Sequence, residues 1–338
     1  MSASFYRTST IYLVFVLVLV TSYFSNATEN YASSTNEYEI QTDSVSIKTS
    51  NGVIFGLLYR PIGIKQDVPA VLCLQGGGDV GLANYTYEAK FFASNGMIAL
   101  VCDKSGSGLS STDKSWRQQS FEDKTIEYHQ LFTWLCEQPN VDPEKVGLHG
   151  MSEGGRLALQ MAINYPDEIA FVNSVSGPIE SYKKNHLYAI RHRFLSRGSQ
   201  MAVVDEAVRI WDAYLEEIAT GTISSETINK VNAFRRQHRE IDYLPSNSTQ
   251  LPTRPLPQDI HFTQEFAMDK IVCPVLFQFG ELDILVDPER SIALIPKDPK
   301  FAIKYYTETD HSMNLSNGDV HPNFIPDKKK WIVDILNL

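Results

Sequence analysis

Apolar residues in this chain fall into short unbroken runs, separated by stretches with helical spacing. Ala70–Leu74 and Met97–Cys102 are such runs, and Val146–Leu148, Phe171–Val175, Val275–Phe279 and Phe301–Tyr306 read as further strands. Without alternation, they predict strands buried on both faces. Tyr87–Ser94, Phe121–Cys136 (through Ile126, Leu131 and Leu135), Leu157–Ile163 and Lys329–Leu338 predict helices. Val45–Thr49 and Val53–Tyr59 read as a hairpin turning at Asn51-Gly52, with Pro61 closing its second strand. The whole predicts a mostly parallel sheet with helices on both faces.

The rhythm breaks over residues 178–268, where no strand pattern stands. Val204, Ala207, Val208, Trp211, Leu215 and Ile218 predict an amphipathic helix over Val203–Thr220. A second, capped by Ser225, is expected to run through Arg236, and Pro245, Pro252, Pro255 and Pro257 then mark a loop. The segment reads as a helical cap inserted into a core of residues 38–177 and 269–338.

The amino terminus carries one charge, Arg7, then the apolar Ile11–Val20, then Ser25-Asn26-Ala27. This predicts a secretory signal cleaved after Ala27 and a mobile leader over 28–37. The alternative is an uncleaved anchor, but ten apolar residues are short of the ~20 that span a bilayer. No later stretch is long and apolar enough to span one, and the mature protein is expected to be secreted or periplasmic. A net charge of −10 argues against a nucleic-acid partner. Cys73, Cys102, Cys136 and Cys273 read as buried thiols, with a Cys73–Cys102 bridge left open. Asn84, Asn247 and Asn314 begin glycosylation triplets.

Gly150-Met151-Ser152-Glu153-Gly154 is a G-x-S-x-G pentapeptide between a strand and a helix. That context suits a nucleophile on a strained turn, with glycines letting the turn close. A serine nucleophile needs a base, and the base an orienting acid. Asp283 lies just past the Val275–Phe279 strand and His311 past Phe301–Tyr306, the order expected after such a serine. Asp287, Glu281 and His321 are the rivals; Asp287 precedes Pro288 and reads rather as a helix start. The oxyanion donors are expected to be the N–H groups of Glu153 and Gly77, the latter flanked by Gly76 and Gly78. His149 is expected to satisfy a buried hydrogen bond. Lys183, Lys184, Arg191, Arg193 and Arg197 read as a solvated helix face, or alternatively as an anion-binding rim. Gly76, Gly78, Arg191, Arg193 and Trp211 are candidates for substrate contact. No Cys/His cluster has zinc spacing and no phosphate loop stands in context, so neither metal nor cofactor is expected.

Gln75-Gly76-Gly77-Gly78, Asp103-Lys104-Ser105-Gly106-Ser107-Gly108, the Ser152 elbow with Gly154-Gly155, Gly280-x-x-Asp283-x-x-Val286 and Asp310-His311 together resemble the α/β-hydrolase superfamily. The chain is most similar to its dienelactone-hydrolase-like esterases and to the catalytic domain of prolyl-oligopeptidase-like serine peptidases. The resemblance implies a mostly parallel eight-stranded sheet. It also implies a Ser-His-Asp hydrolase working through an acyl-enzyme. Two positions depart from the pattern: Gln75 stands where histidine is usual, and Ser105 where arginine is common. The first bears on how the oxyanion loop is braced, the second on the turn after Cys102. A carboxylic ester is the expected substrate, since the chain has no room for a peptide-filtering propeller. Short peptides are the alternative, followed by acyl transfer or thioester cleavage. A catalytically silent binding protein on the same fold is the non-enzymatic alternative.

Overall fold

A computed structural model describes residues 38–78, 81–238 and 255–337. The expected signal and leader (1–37), the Asn247 triplet, and Pro245 and Pro252 of the expected loop lie outside these residues.

Nine strands form one sheet. They are β1 (Ile40–Thr49), β2 (Gly52–Pro61), β3 (Val68–Leu74), β4 (Ile98–Cys102), β5 (Ser111–Thr112), β6 (Val141–Met151), β7 (Val172–Val175), β8 (Val275–Gly280) and β9 (Phe301–Tyr306). Eight of them run in the order β1-β2-β4-β3-β6-β7-β8-β9, and the two-residue β5 pairs with β2 off this path. β1 and β2 form the antiparallel hairpin, and β2 is antiparallel to β4. From β4 to β9 all pairs are parallel. β3, β4, β7 and β8 are buried at every position. That burial is why β3 and β4 read as continuous apolar runs.

Helices α1 (Thr86–Ser94), α2 (Phe121–Cys136), α3 (Glu153–Asn164), α7 (Pro288–Leu294) and α8 (Phe324–Leu336) accompany the sheet. One apolar layer holds α2 and α3 against β3, β6 and β8; the other holds α1 and α8 against β3 and β4. Cys73 and Cys102 belong to opposite layers and all four cysteines are free, so the bridge left open above does not form.

Between β7 and β8 lie α4 (Tyr182–Ser196), α5 (Met201–Ala219) and α6 (Ser225–Gln237), with their own apolar cluster around Phe194, Trp211 and Phe234. Ser224, not Ser225, caps α6, accepting from Thr227 N–H at 3.1 Å. The insertion is tied down at its base. Tyr182 and Lys183 N–H donate to the carbonyls of Phe262 and Ile260, and Gln264 N–H donates to that of Ile179.

A row of polar side chains crosses the buried sheet. Lys328 of α8 pairs with Glu88 of α1 at 2.5 Å, and Glu88 lies 3.3 Å from His149 Nε2. His149 Nδ1 is 2.8 Å from Asn173 Oδ1, and Asn173 donates to Gln278 at 2.9 Å. Gln278 donates to the Tyr306 hydroxyl at 2.8 Å, and Tyr306 donates to Asp327 at 3.2 Å. Burial alone would raise the Glu88 pKa, but His149 and Lys328 outweigh it and hold the carboxyl well below its usual range. Its stabilising contribution is therefore complete above the unfolded value near 4.5 and is lost only as pH falls below it. Lys328→Met should leave that carboxylate buried without its ammonium. It is expected to cost about 3–5 kcal/mol in urea unfolding at pH 7; an unchanged midpoint would contradict this role for the pair.

Candidate active site

The elbow is built by contacts that exclude side chains. Ser152, between β6 and α3, has φ 55° and ψ −119°, a conformation costly for a residue with a Cβ. A Cβ on Gly150 would lie 2.2 Å from the Gly154 carbonyl oxygen. One on Gly154 would lie 2.2 Å from that of Leu74. β6 and α3 therefore meet backbone to backbone, and Ser152 stands at the turn. Its own N–H donates to Val175 O at 2.8 Å, anchoring the strain to β7.

His311 Nδ1 lies 2.7 Å from Asp283 Oδ2, with Asp283 buried and His311 half-buried. The other Asp283 oxygen accepts the N–H groups of Leu285 and Val286 at 2.7 and 2.9 Å, so the carboxylate is fixed in orientation. The loop bearing His311 is pinned beside the elbow. Ser176, next after Val175, donates its hydroxyl to the His311 carbonyl at 3.0 Å. Met151 and Met313 share one apolar cluster. Among the rivals, Asp287 caps α7 by accepting from Arg290 N–H at 2.9 Å. Glu281 accepts from Glu308 N–H, and His321 packs at a tilt against the Tyr306 ring.

The glycine loop faces the elbow from the end of β3. A Cβ on Gly76 would sit 3.5 Å from the Ser152 Cβ, and one on Gly77 would sit 3.6 Å from Glu153 Oε2. One N–H group of the loop is used: Gly76 donates to the Tyr85 hydroxyl at 2.7 Å, and the Tyr128 phenol lies beside Gln75. Burial raises both phenols, Tyr85 to about 12, so both stay protonated at neutral pH. Gly77 comes next, on the exposed side of the loop, and no described residue accepts its N–H. Glu153 is the first residue of α3, where helix geometry directs the N–H out from the helix start. Gly78, at φ 99°, turns the loop away.

The two departures are each compensated. Gln75 is buried and donates to the Cys102 carbonyl, tying the loop to β4. Ser105 donates to buried Glu127, which also accepts from Asn51 at 2.9 Å and Gln119 at 3.0 Å, so neutral donors hold the turn after Cys102. Asp103 accepts from the N–H groups of Leu82 and Leu109 at 2.6 and 2.7 Å, joining that turn to the glycine loop's far end.

The structure places three of the sequence-derived substrate candidates in the insertion. Trp211 is 2% exposed and packs on Phe234 in the insertion's own apolar cluster. Arg191 pairs with Asp205 at 3.0 Å, and Lys183 with Asp212 at 2.7 Å and with Glu216. These carboxylates fit the reading of a solvated helix face. Arg193 lies on the same helix, α4. Sequence reasoning missed Tyr188 of α4, whose hydroxyl donates to the Asp283 carbonyl at 2.8 Å and so joins the insertion to the acid loop. It also missed Lys104, Trp116 and Lys124 beneath the glycine loop. A lysine just past the end of a buried strand was the available signal for Lys104.

This sheet order, with its strand–Ser152–helix elbow and an Asp283–His311 pair past later strand ends, is that of the α/β-hydrolase fold. The chain shares that fold with the solved structures named below. The family profile described as BAAT / acyl-CoA thioester hydrolase C terminal matches residues 125–292. Mouse dipeptidyl peptidase 8 is 29% identical over 143 residues, which are 39% of this chain and 16% of that protein. Thiohydrolase aneE of Aspergillus aculeatus is 32% identical over 114 residues, 33% of this chain and 35% of that one. The chain thus spans a minor part of either relative's length. Among solved structures, the α/β hydrolase GrgF of Penicillium sp. sh18 aligns at TM-score 0.60 and 16% identity, covering 88% of this chain and all of that one. A hyperthermophilic esterase of Pyrobaculum calidifontis aligns at 0.59 and 13% identity, covering 95% and 93%.

Gly154→Ala should press a methyl group onto the Leu74 carbonyl and wedge α3 away from β3. It is expected to destabilise the fold by at least ~1–3 kcal/mol; an unaltered thermal melt would reject the close approach.

Proposed function

We propose that the protein is a serine hydrolase that cleaves a carboxylic ester through an acyl-enzyme. The observation that carries this reading is the 2.7 Å Asp283–His311 bond on a loop fastened beside the Ser152 elbow. Asp283 accepts from Nδ1–H, which leaves Nε2 of His311 as the base. Nε2 takes the Ser152 hydroxyl proton as Oγ attacks the acyl carbon. The oxyanion of the tetrahedral intermediate receives the N–H groups of Gly77 and Glu153. Collapse expels the alcohol, which takes the proton from His311. Water, deprotonated by the same imidazole, then attacks the acyl-enzyme and frees Ser152.

The esterase from Pyrobaculum calidifontis supports an ester as substrate. Thioester cleavage is the second reading, favoured by the acyl-CoA thioester hydrolase profile and by the similarity to a thiohydrolase. Both use the same groups and differ in the leaving atom. Helices α4, α5 and α6 act as a cap over the site in this proposal, with Tyr188 as their contact to the acid loop. We also propose export, directed by residues 1–27.

Ser152→Ala should lower turnover of a nitrophenyl ester by about 10⁴–10⁶-fold and abolish labelling by a fluorophosphonate. Parent-like turnover in that variant would reject the mechanism. A panel of acyl esters, acyl thioesters and aminoacyl amides then ranks the substrate classes, the ester expected first. Export is checked separately: the protein recovered from outside the cytoplasm should begin at Thr28, and an intact Met1 would overturn cleavage.

A further inference from the structure

Beneath the glycine loop, two buried lysines lie against one indole ring. Lys104 Nζ is 4.6 Å from the centre of the Trp116 ring, and Lys124 Nζ is 4.4 Å from it. Lys104 is 2% exposed, and its Nζ donates to the carbonyls of Gly76 and, at 2.7 Å, Gly78. Lys124 is fully buried and its Nζ lies 3.0 Å from Glu153 Oε1, which Trp116 Nε1–H also reaches at 3.0 Å. Each half of the expected oxyanion pocket therefore rests on one of these cations. The Gly76 and Gly78 carbonyls flank Gly77, and the Glu153 side chain abuts it.

We propose that Lys104 is a positioning residue for the oxyanion pocket, an ammonium that orients and polarises the peptide unit whose N–H belongs to Gly77. This inference rests on the hydrolase reading above. Its geometry follows from the peptide bond. In a planar trans unit the carbonyl of Gly76 and the N–H of Gly77 point in opposite directions. Holding that carbonyl on Lys104 aims the Gly77 N–H to the other side of the loop, away from the cation. The second bond, to the Gly78 carbonyl, fixes the peptide unit two further on and so limits how far the loop can swivel about Gly77 and Gly78. Glycine needs such a restraint, because it has no Cβ to limit its dihedrals.

Polarisation adds to orientation. A cation at the carbonyl end of an amide draws electron density toward oxygen and leaves the N–H a stronger donor. The benefit is largest when the acceptor carries negative charge, as an oxyanion does and a ground-state carbonyl does not. Lys104 touches neither substrate nor Ser152 in this account; it acts through Gly77. Two carbonyls and an indole face surround its Nζ, all electron-rich, and they suit an ammonium better than a neutral amine.

The test compares Lys104→Met and Lys104→Gln with the parent enzyme on a nitrophenyl ester. Lys104→Met should lower kcat by roughly 10- to 100-fold with KM nearly unchanged, less than the ~10²–10³ of losing a donor outright. Affinity for a trifluoromethyl ketone, whose adduct carries the oxyanion, should fall by the same factor. Lys104→Gln, which keeps a donor but no charge, should fall between. A soluble, folded Lys104→Met with parental kcat and ketone affinity would overturn the proposal. If both variants misfold, the parent protein decides. With ¹³C,¹⁵N-glycine labelling, the Gly76 carbonyl carbon and Gly77 nitrogen should resonate downfield of exposed glycines, and ordinary positions would overturn it. Failure of the parent to turn over any ester or react with a fluorophosphonate would instead sink the hydrolase reading.

Discussion

The site depends on a backbone approach that leaves no room for a Cβ. Gly150 and Gly154 let β6 run into α3 so tightly that the carbonyls of Leu74 and Gly154 occupy the space side chains would need. Ser152 is then forced to a positive φ, with its N–H secured to β7. Strain at one residue is tolerable because it is spread over a sheet buried on both faces. The candidate site groups are placed relative to this turn: the glycine loop at the end of β3, and the Asp283–His311 pair past β8 and β9.

The surrounding polar groups follow one economy. Buried carboxylates near the site are each satisfied, though by different donors. Glu127 has neutral ones, Asp103 has backbone amides, and Glu153 has a lysine and an indole. Where the chain lacks a family-typical arginine or histidine, hydrogen bonds from Asn51, Gln119 and Gln75 take up the geometry.

Much of this was legible from residues alone, for a physical reason. Strands buried on both faces are largely apolar, so β3 and β4 announce themselves, while β7 and β8 carry the buried polar Asn173, Ser174 and Gln278. Asp283 and His311 stood out because parallel sheets present chemistry past the carboxyl ends of their strands. The first half of β1 was invisible, since Ile40–Ser44 lies on the sheet's edge and is largely polar and exposed. The start of α8 was hidden by Pro326, which a first helical turn tolerates but a sequence scan reads as a stop. α4 has three buried residues among many polar ones, too few for a periodic signal. The burial of Trp211 was not legible, because an aromatic on an amphipathic helix looks the same whether it packs on its own neighbours or on a ligand. Lys104 went unassigned because only the fold brings the Gly76 and Gly78 carbonyls to its ammonium.

The polar row from Glu88 through His149, Asn173 and Gln278 to Tyr306 bears on how the chain avoids misthreading. Greasy parallel strands can slide by two residues or trade places with little loss of buried area, since one Val or Leu resembles another. A donor–acceptor sequence that runs unbroken through β6, β7, β8 and β9 is complete in only one alignment. Any shifted or shuffled arrangement would strand amides and an imidazole in oil. The row thus serves as a registration key, spending a few polar groups in the interior so that the assembled order is unique.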